Sequence, residues 1–495
     1  MFMSDLKKEV DATSYQLTEN GALGYSTTGS ALVDLNFKTA TLRDKPDAEI
    51  IKVFSKAYRE NPELTVKWLF YARDIRGGLQ EKNLFHVAFN WLLEENEKAK
   101  DLIQYIPEYG YFKDYQFIKP QLVSEIIREQ LLKDLADAEK NKPISLLAKW
   151  MPSQNASSKE SKALGKYFAR QLNLSDKQYR QTLSILRKHL DVTEVKTSAG
   201  KWNEIDYNKV SSQANMLYSK AFLSHDADRR QKHLQAILDG KENVKVNAAT
   251  LFAHDIVNRY QENSGIFRAN TIKLNADLEA AWKNLPKKAI ENTLVVADGS
   301  GSMTSTIGNT NVTALAVANA LAIYFSENNK GEFKDYYITF SDRPQLINFA
   351  NCKNLFSKIK IALEHNEVAS TNIEAVFNLI LNTALKNKYT IEDMPKNILI
   401  VSDMEFNQAV HFSGNPLFTD ITKKYAEHGF KLPKLIFWNV NSRTGTVPLQ
   451  ENENGVIFVS GFSVHIADMV MSNEMDPFEA LKKVLMGDRY KNITI

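Results

Sequence analysis

Leu294–Met303 reads LVVADGSGSM. Four apolar residues, Leu294, Val295, Val296 and Ala297, run into Asp298, and Gly299 and Gly301 then alternate with Ser300 and Ser302. A short continuous apolar run that stops at a Gly/Ser turn reads as a buried parallel strand ending in a loop. One carboxylate and two hydroxyls, spaced two residues apart on that loop, can all face one small hard cation. Such oxygen donors suit Mg2+, which keeps several waters and needs few protein atoms.

The same texture continues to the C-terminus. Apolar runs recur at 336–340 (YYITF), 398–402 (ILIVS), 434–440 (KLIFWNV) and 456–460 (VIFVS). Between them the pattern predicts amphipathic helices over 312–326, 372–386, 416–427 and 476–485. Strands alternating with helices predict an α/β, doubly wound parallel sheet over residues 289–495. Ligands of such sheets bind beyond the carboxyl ends of the strands, where Asp298 lies. Asp403 follows ILIVS in the same position, and the loop VASTN offers Thr371 just ahead of the next helix.

The Asp-x-Ser-x-Ser spacing, with Thr371 and Asp403 in the expected order, resembles the metal-ion-dependent adhesion site of von Willebrand factor A domains. The resemblance implies a Rossmann-like A domain in which Asp298, Ser300, Ser302, Thr371 and Asp403 hold a divalent cation, Mg2+. It also implies an open coordination position that takes a carboxylate from an acidic protein partner. Ser370 stands where that family carries a glycine. No histidine or glutamate lies beside Asp298 to activate water, and no Cys/His set fits zinc. His365, His411 and His465 sit at unrelated spacings and read as surface or capping residues. The expectation is a protein that is not an enzyme, with no small-molecule substrate.

Ahead of this domain the period is helical. Residues 1–45 read as an N-terminal extension of loop and short helix. From about Asp47 helix follows helix: Asn61-Pro62 is a good N-cap and first turn, Gly77-Gly78 a stop. Further helices are predicted over 99–105, 117–138, 144–149, 163–172, 177–190, 213–224, 229–239, 247–260 and 274–283. NLPKK (284–288) reads as the linker. Successive helix pairs with little strand-like alternation predict an arc or ring of HEAT-like helical repeats over 46–288.

The 495 residues exceed one ordinary core. No apolar run approaches the ~20 residues of a membrane span, MFMSDLKKEV lacks a signal peptide's apolar stretch, and a single cysteine, Cys352, excludes an internal disulfide. The protein is expected to be cytoplasmic. The net charge of +3 is unevenly spread: residues 291–495 hold 18 Lys and Arg against 22 Asp and Glu, and residues 1–290 hold 44 against 37. That bias favours an anionic partner for the helical part.

Lys162, Lys166 and Arg170 recur every four residues and share a helix face, and Arg180, Arg187 and Lys188 make a second strip. Arg229 and Arg230 follow, with Tyr167, Tyr179, Trp202 and Tyr207 interleaved. Cations with aromatics beside them suit a phosphate backbone and stacked bases; equally, charged outer faces with aromatic cores are ordinary in soluble helices.

Five stretches resemble the TROVE (telomerase, Ro and vault) superfamily and its Ro-like members: ENGALGYSTTGSALVDLNF (Glu19–Phe37), FYARDIRGG (Phe70–Gly78), IPEYGYFKDY (Ile106–Tyr115), LLAKWMPSQNASS (Leu146–Ser158) and LRKHLDVTE (Leu186–Glu194). The resemblance implies a helical ring closed by an A domain, binding noncoding or misfolded RNA that is partly single-stranded. Arg73 and Arg76 of the second stretch are open to two readings, a ligand contact or a buried salt bridge, with Asp74 one available partner. Two functions stand: an RNA-binding ring, or a metal-dependent protein adhesion module, such as a viral structural protein, with the helices as scaffold.

Overall fold

The computed structural model describes residues 14–261, 271–308, 310–365, 370–408 and 414–495. The chain divides into two compact units that do not follow chain order. One comprises Met1–Trp68, Gly77–Leu79 and Leu251–Asn492; the other comprises Leu69–Arg76, Gln80–Thr250 and Ile493–Ile495.

The first unit is built on a six-stranded sheet. Ahead of it in the chain, β1 (Tyr15–Leu17) and β2 (Leu23–Tyr25) form an antiparallel hairpin. The sheet strands are β3 (Thr293–Asp298), β4 (Tyr336–Phe340), β5 (Leu346–Asn348), β6 (Asn397–Ser402), β7 (Lys434–Asn439) and β8 (Val456–Ser460), in the order β8-β7-β6-β3-β4-β5. All neighbours are parallel except β4 and β5. The sheet is therefore mixed and not wholly parallel, because the short connection from Phe340 to Leu346 can only fold back as a hairpin. The chain runs from β3 to β4 on one side and returns to β6 on the other. The topological switch thus falls between β3 and β6, the strands that end at Asp298 and lead into Asp403.

The helix Ala314–Glu327, expected as amphipathic, is buried on every face from Ala314 to Ser326. Its sequence, ALAVANALAIYFSE, is apolar all round, and such a helix belongs inside a core. It packs on β3 and on the helix Ala253–Gln261, which draws residues 251–288 into this unit. Residues 14–42 belong to it too. The helix Ala31–Phe37 is buried throughout and lies against β8, with the Phe37 and Phe458 ring centres 5.0 Å apart. Asn36 donates to the Phe458 carbonyl at 3.0 Å and accepts from the Trp68 indole at 3.0 Å, and Asn439 donates to the Phe37 carbonyl. The segment read as an extension is a built-in part of the sheet's packing.

The second unit is helical: Asn83–Glu95, Pro120–Glu139, Lys159–Gln171, Asp176–His189, Ser212–His225 and Ala227–Leu238 are its longer helices. Ser175 and Gln178 close a capping box at the start of Asp176–His189. The helix predicted over 99–105 has the tighter 3-10 winding and spans Glu97–Tyr105. Among the described residues no helix is long and apolar enough to cross a membrane.

Two of the quoted motifs meet in this unit. Arg73 of FYARDIRGG donates to Asp114 of IPEYGYFKDY through Nε at 3.0 Å and Nη2 at 2.8 Å. His86 Nε2 reaches the other carboxylate oxygen at 2.9 Å, and the Tyr111 N–H donates as well. An ionised carboxylate only accepts, so His86 carries its proton on Nε2. The Arg73 side chain is 3% exposed and that of Asp114 1%. Asp114 is the partner of Arg73; Asp74 instead accepts from the Arg76 N–H, and Arg76 Nη1 donates to the Glu108 carbonyl. The buried-salt-bridge reading of Arg73 is the one the packing supports. Gly110 is required beside it, since a Cβ there would lie 2.2 Å from Asp114 Oδ2 and 2.9 Å from Arg73 Nε.

Burial opposes the charge on Asp114, yet His86, Arg73 and the Tyr111 N–H together hold its carboxyl below the usual range. Burial likewise holds His86 below its ordinary value, outweighing the pull of Asp114. Both groups bind protons less readily folded than unfolded. Their stabilisation is complete above the unfolded values and is lost on acidification, His86 starting below pH 6.5 and Asp114 below 3.8. Denaturant titrations of the full chain should show His86→Gln losing less stability than the parent between pH 7 and 5. Asp114→Ala, which strands a buried guanidinium, should cost about 3–5 kcal/mol at pH 7.

Candidate metal centre

The centre is assembled from three loops at the carboxyl ends of β3 and β6 and the start of the helix Ile373–Asn387. Asp298 closes β3 and is 1% exposed. Its Oδ1 accepts from the Ser300 N–H at 2.9 Å, and its Oδ2 from the Ser402 hydroxyl at 2.6 Å. The Ser300 and Ser302 hydroxyls lie 3.0 Å apart. Asp403, also 1% exposed, interacts with both Ser302 and Asp298. Thr371 is buried and joins the Asp403 loop, its carbonyl accepting from the Asn407 N–H at 3.0 Å. The structure thus brings Asp298, Ser300, Ser302 and Asp403 into contact and places Thr371 against the same loop. Ser370 is half-buried beside it.

Two carboxylates share this dry site. Burial pushes Asp298 above the usual carboxylate range against the hydrogen bonds of Ser402 and Ser300. Burial, and then the charge of Asp298, push Asp403 up as well. Asp403 Oδ1 accepts from the Glu405 N–H at 3.2 Å, but among the described residues no hydrogen bond reaches Oδ2. Its ion-pair partner is Arg443, whose Nη2 is 3.7 Å away. A buried, under-coordinated carboxylate oxygen beside a second acid and two hydroxyls fits a hard divalent cation, which would supply positive charge there. The Met404 backbone, at φ 62°, sits in the left-handed region between Asp403 and Glu405. This conformation costs roughly 1–2 kcal/mol in a residue with a side chain.

Glu405, 0% exposed, is a different kind of acid. Its carboxylate accepts from the Glu19, Arg443 and Thr444 N–H groups and from the Ser442 and Thr444 hydroxyls. Fully satisfied, it clamps loops together and has no lone pair left for a cation. Ser402, Glu405 and Arg443 were not singled out in the sequence. Ser402 and Glu405 flank Asp403 and were legible as polar residues at a strand end; Arg443 is brought in from a distant loop and had no local signal. Of the histidines named from the sequence, His365 caps its own helix by contacting the Ile361 carbonyl, His465 lies after β8, and His411 lies outside the described residues.

The predicted RNA contacts separate into two groups. Lys162, Lys166 and Arg170 on Lys159–Gln171, and Arg180 and Lys188 on Asp176–His189, are exposed. None of these five is ion-paired to a described residue; Arg180 donates to Gln154. Arg187, Arg229 and Arg230 are structural instead. Arg187 donates to the Ala148 and Met151 carbonyls and the Ser153 hydroxyl. Arg229 caps the Trp202, Asn203 and Ile205 carbonyls and pairs with Asp226. Arg230 is 1% exposed, under the rings of Tyr207 and Phe222, where no phosphate can reach it. Tyr179 and Tyr207 are core residues, and Trp202 stacks on His225 at 4.3 Å. Only half-buried Tyr167, whose hydroxyl accepts from Gln121, remains beside the exposed cations.

A family described as a domain of unknown function (DUF2828) matches residues 18–119 and 95–293, more than half of the chain. The chain belongs to the DUF2828 family. A second domain of unknown function, DUF7788, matches residues 292–491, the stretch that carries β3 to β8 and the residues of the candidate centre. An uncharacterized protein, L728, of Acanthamoeba polyphaga mimivirus is 28% identical over 94% of this chain and 86% of its own. The crystal structure of the Deinococcus radiodurans Ro (RSR) protein aligns with 91% of this chain and 93% of its own at 13% identity. Its TM-score is 0.34, too loose a likeness to support an inference.

The buried acid pair predicts opposite effects of one substitution in two conditions. In chelator, Asp403→Asn removes a like charge and should raise the melting temperature at pH 8. With millimolar Mg2+ the parent should gain stability by linkage and the variant should not, as read by differential scanning fluorimetry.

Proposed function

We propose that this DUF2828 protein is a non-enzymatic, RNA-binding scaffold. In this reading its helical unit is the HEAT-like arc of the TROVE resemblance, and its sheet unit is a von Willebrand A domain holding Mg2+. The observation that carries it is the exposed set Lys162, Lys166, Arg170, Arg180 and Lys188 on two consecutive helices, with no carboxylate partner among the described residues. Cations on neighbouring helices that no carboxylate neutralises raise the local positive potential and suit a run of phosphates. The basic balance of residues 1–290 supports the same reading. Base specificity would come from unstacked bases, with Tyr167 the aromatic at hand.

The test is the salt dependence of single-stranded RNA binding by the full chain. Lys162→Glu, Lys166→Glu and Arg170→Glu together should weaken binding and flatten the slope of log K against log salt by about 2, at ~0.7 per phosphate contact. Arg229→Ala should change stability and leave that slope alone. A triple variant with parental affinity and slope overturns the proposal.

The oxygen-lined centre favours a second reading, metal-dependent capture of an acidic protein ligand with the helices as scaffold. Asp298→Ala should then abolish capture of such a ligand, and chelator should do the same to the parent protein. The viral relative keeps this reading in view, since a structural or cargo role fits an adhesion module.

A further inference from the structure

The hairpin β1–β2 turns through residues 18–22, and that turn is fastened to the loop following β6. The Thr18 hydroxyl donates to the Phe406 carbonyl at 2.7 Å, and the Glu19 N–H donates to Glu405 Oε2 at 2.7 Å. Asn20 Nδ2 donates to the Glu405 carbonyl at 2.6 Å and lies 3.4 Å from Thr371 Oγ1, itself one of the metal-centre donors. Gly21 bridges to Asn407, and the Gln408 N–H donates to the Asn20 carbonyl. The turn therefore sits on the loops that form the centre. Its one acidic side chain, Glu19, is half exposed and is bound by Arg443 Nη1. The same guanidinium places Nη2 3.7 Å from Asp403 Oδ2, the buried oxygen that no hydrogen bond reaches. One guanidinium thus bridges the carboxylate of the strap and the under-coordinated carboxylate of the centre.

We infer that Glu19 is the acidic ligand for the open position of the metal centre, so that a bound cation latches the chain's own residues 18–22 onto the sheet, with Arg443 competing for the same two carboxylates. The inference rests on the reading of Asp298, Ser300, Ser302, Thr371 and Asp403 as a cation site. A divalent cation carries more charge than a guanidinium in less space and binds carboxylate oxygens directly. It would satisfy Asp403 Oδ2, which Arg443, at 3.7 Å, does not. Glu19 needs no long search to reach it, because its own N–H is already pinned by Glu405 and its neighbour Asn20 already touches Thr371. The entropy of ordering the strap is met by these backbone and side-chain bonds before the cation arrives. Metal binding and strap docking are then linked: whatever tightens one tightens the other by the same factor. The site is self-ligated, and an acidic partner has to displace Glu19 to use it.

The test uses the full chain, Mn2+ and Mg2+ titrations by calorimetry, and hydrogen exchange of the peptide spanning residues 14–25. Asp298→Ala should abolish cation binding. Glu19→Gln should weaken it about tenfold, whereas Arg443→Gln, which removes the competing cation, should strengthen it. In the parent, added Mg2+ should slow exchange in residues 14–25, and in Glu19→Gln it should not. If Asp298→Ala binds the cation as well as the parent, the metal-centre reading fails and this inference with it. If Asp298→Ala abolishes binding but Glu19→Gln matches the parent, the Glu19 assignment alone is overturned. It is also overturned if affinity falls in Glu19→Gln while Mg2+ leaves exchange in the parent's strap unchanged, since Glu19 then acts only through its distant charge.

Discussion

Two carboxylates, Asp298 and Asp403, are buried side by side at the ends of adjacent parallel strands, and a low-dielectric interior does not tolerate that pair without compensation. Much around them answers this constraint. Ser402 and the Ser300 N–H donate to Asp298. The Met404 backbone takes a left-handed turn between Asp403 and Glu405. Arg443 is brought from the loop after β7 to face Asp403, and Glu405 spends its whole carboxylate tying that loop and the N-terminal strap into place. What is left over is one oxygen, Asp403 Oδ2, facing a position where charge is still wanted. Among the described residues, that oxygen and the neighbouring Ser370 hydroxyl are the buried polar atoms of these loops left without a hydrogen bond.

The helical unit meets the same physical problem and solves it internally. Asp114 is as buried as Asp403, but it accepts from Arg73, His86 and the Tyr111 N–H. Nothing remains unsatisfied, and burial and charge cancel within the chain. The contrast separates two kinds of buried acid that burial alone does not. Asp114 and Glu405 are saturated with donors and hold elements together, whereas Asp298 and Asp403 keep acceptor capacity. The same contrast sorts the arginines. Arg73, Arg187, Arg229 and Arg230 are spent on carbonyls, carboxylates or aromatic faces, and Lys162, Lys166 and Arg170 have no ion-pair partner among the described residues.

Much of the sheet unit was legible in the sequence because parallel strands buried on both faces leave unbroken apolar runs, as at 398–402 and 456–460. The short antiparallel strand β5 was not, since LIN is too brief to show a period and its place is set by the turn after Phe340. The helix Ala314–Glu327 was legible as a helix, but its burial on all sides depends on Ala253–Gln261 arriving from earlier in the chain. In the helical unit the periodicity located most helices to within a few residues. It did not separate Arg230, aimed inward under Tyr207, from Arg229, one residue away and exposed. Adjacent residues on a helix point about a quarter-turn apart, and only the packing says which direction is inward.

By itself the sequence determined which segments are strands and helices, the order of the acids and hydroxyls at strand ends, and the existence of a basic strip at a four-residue spacing. Each of these is local, written in period, turn chemistry and residue type within a dozen positions. The tertiary structure alone decided that Asp114 is the partner of Arg73, that residues 14–42 complete the packing of the sheet, and that Glu19 and Arg443 stand together over Asp403. These pairs are separated by tens to hundreds of residues. Their meeting is set by which apolar faces must be buried against one another, and a burial requirement names a face without naming the distant segment that will cover it.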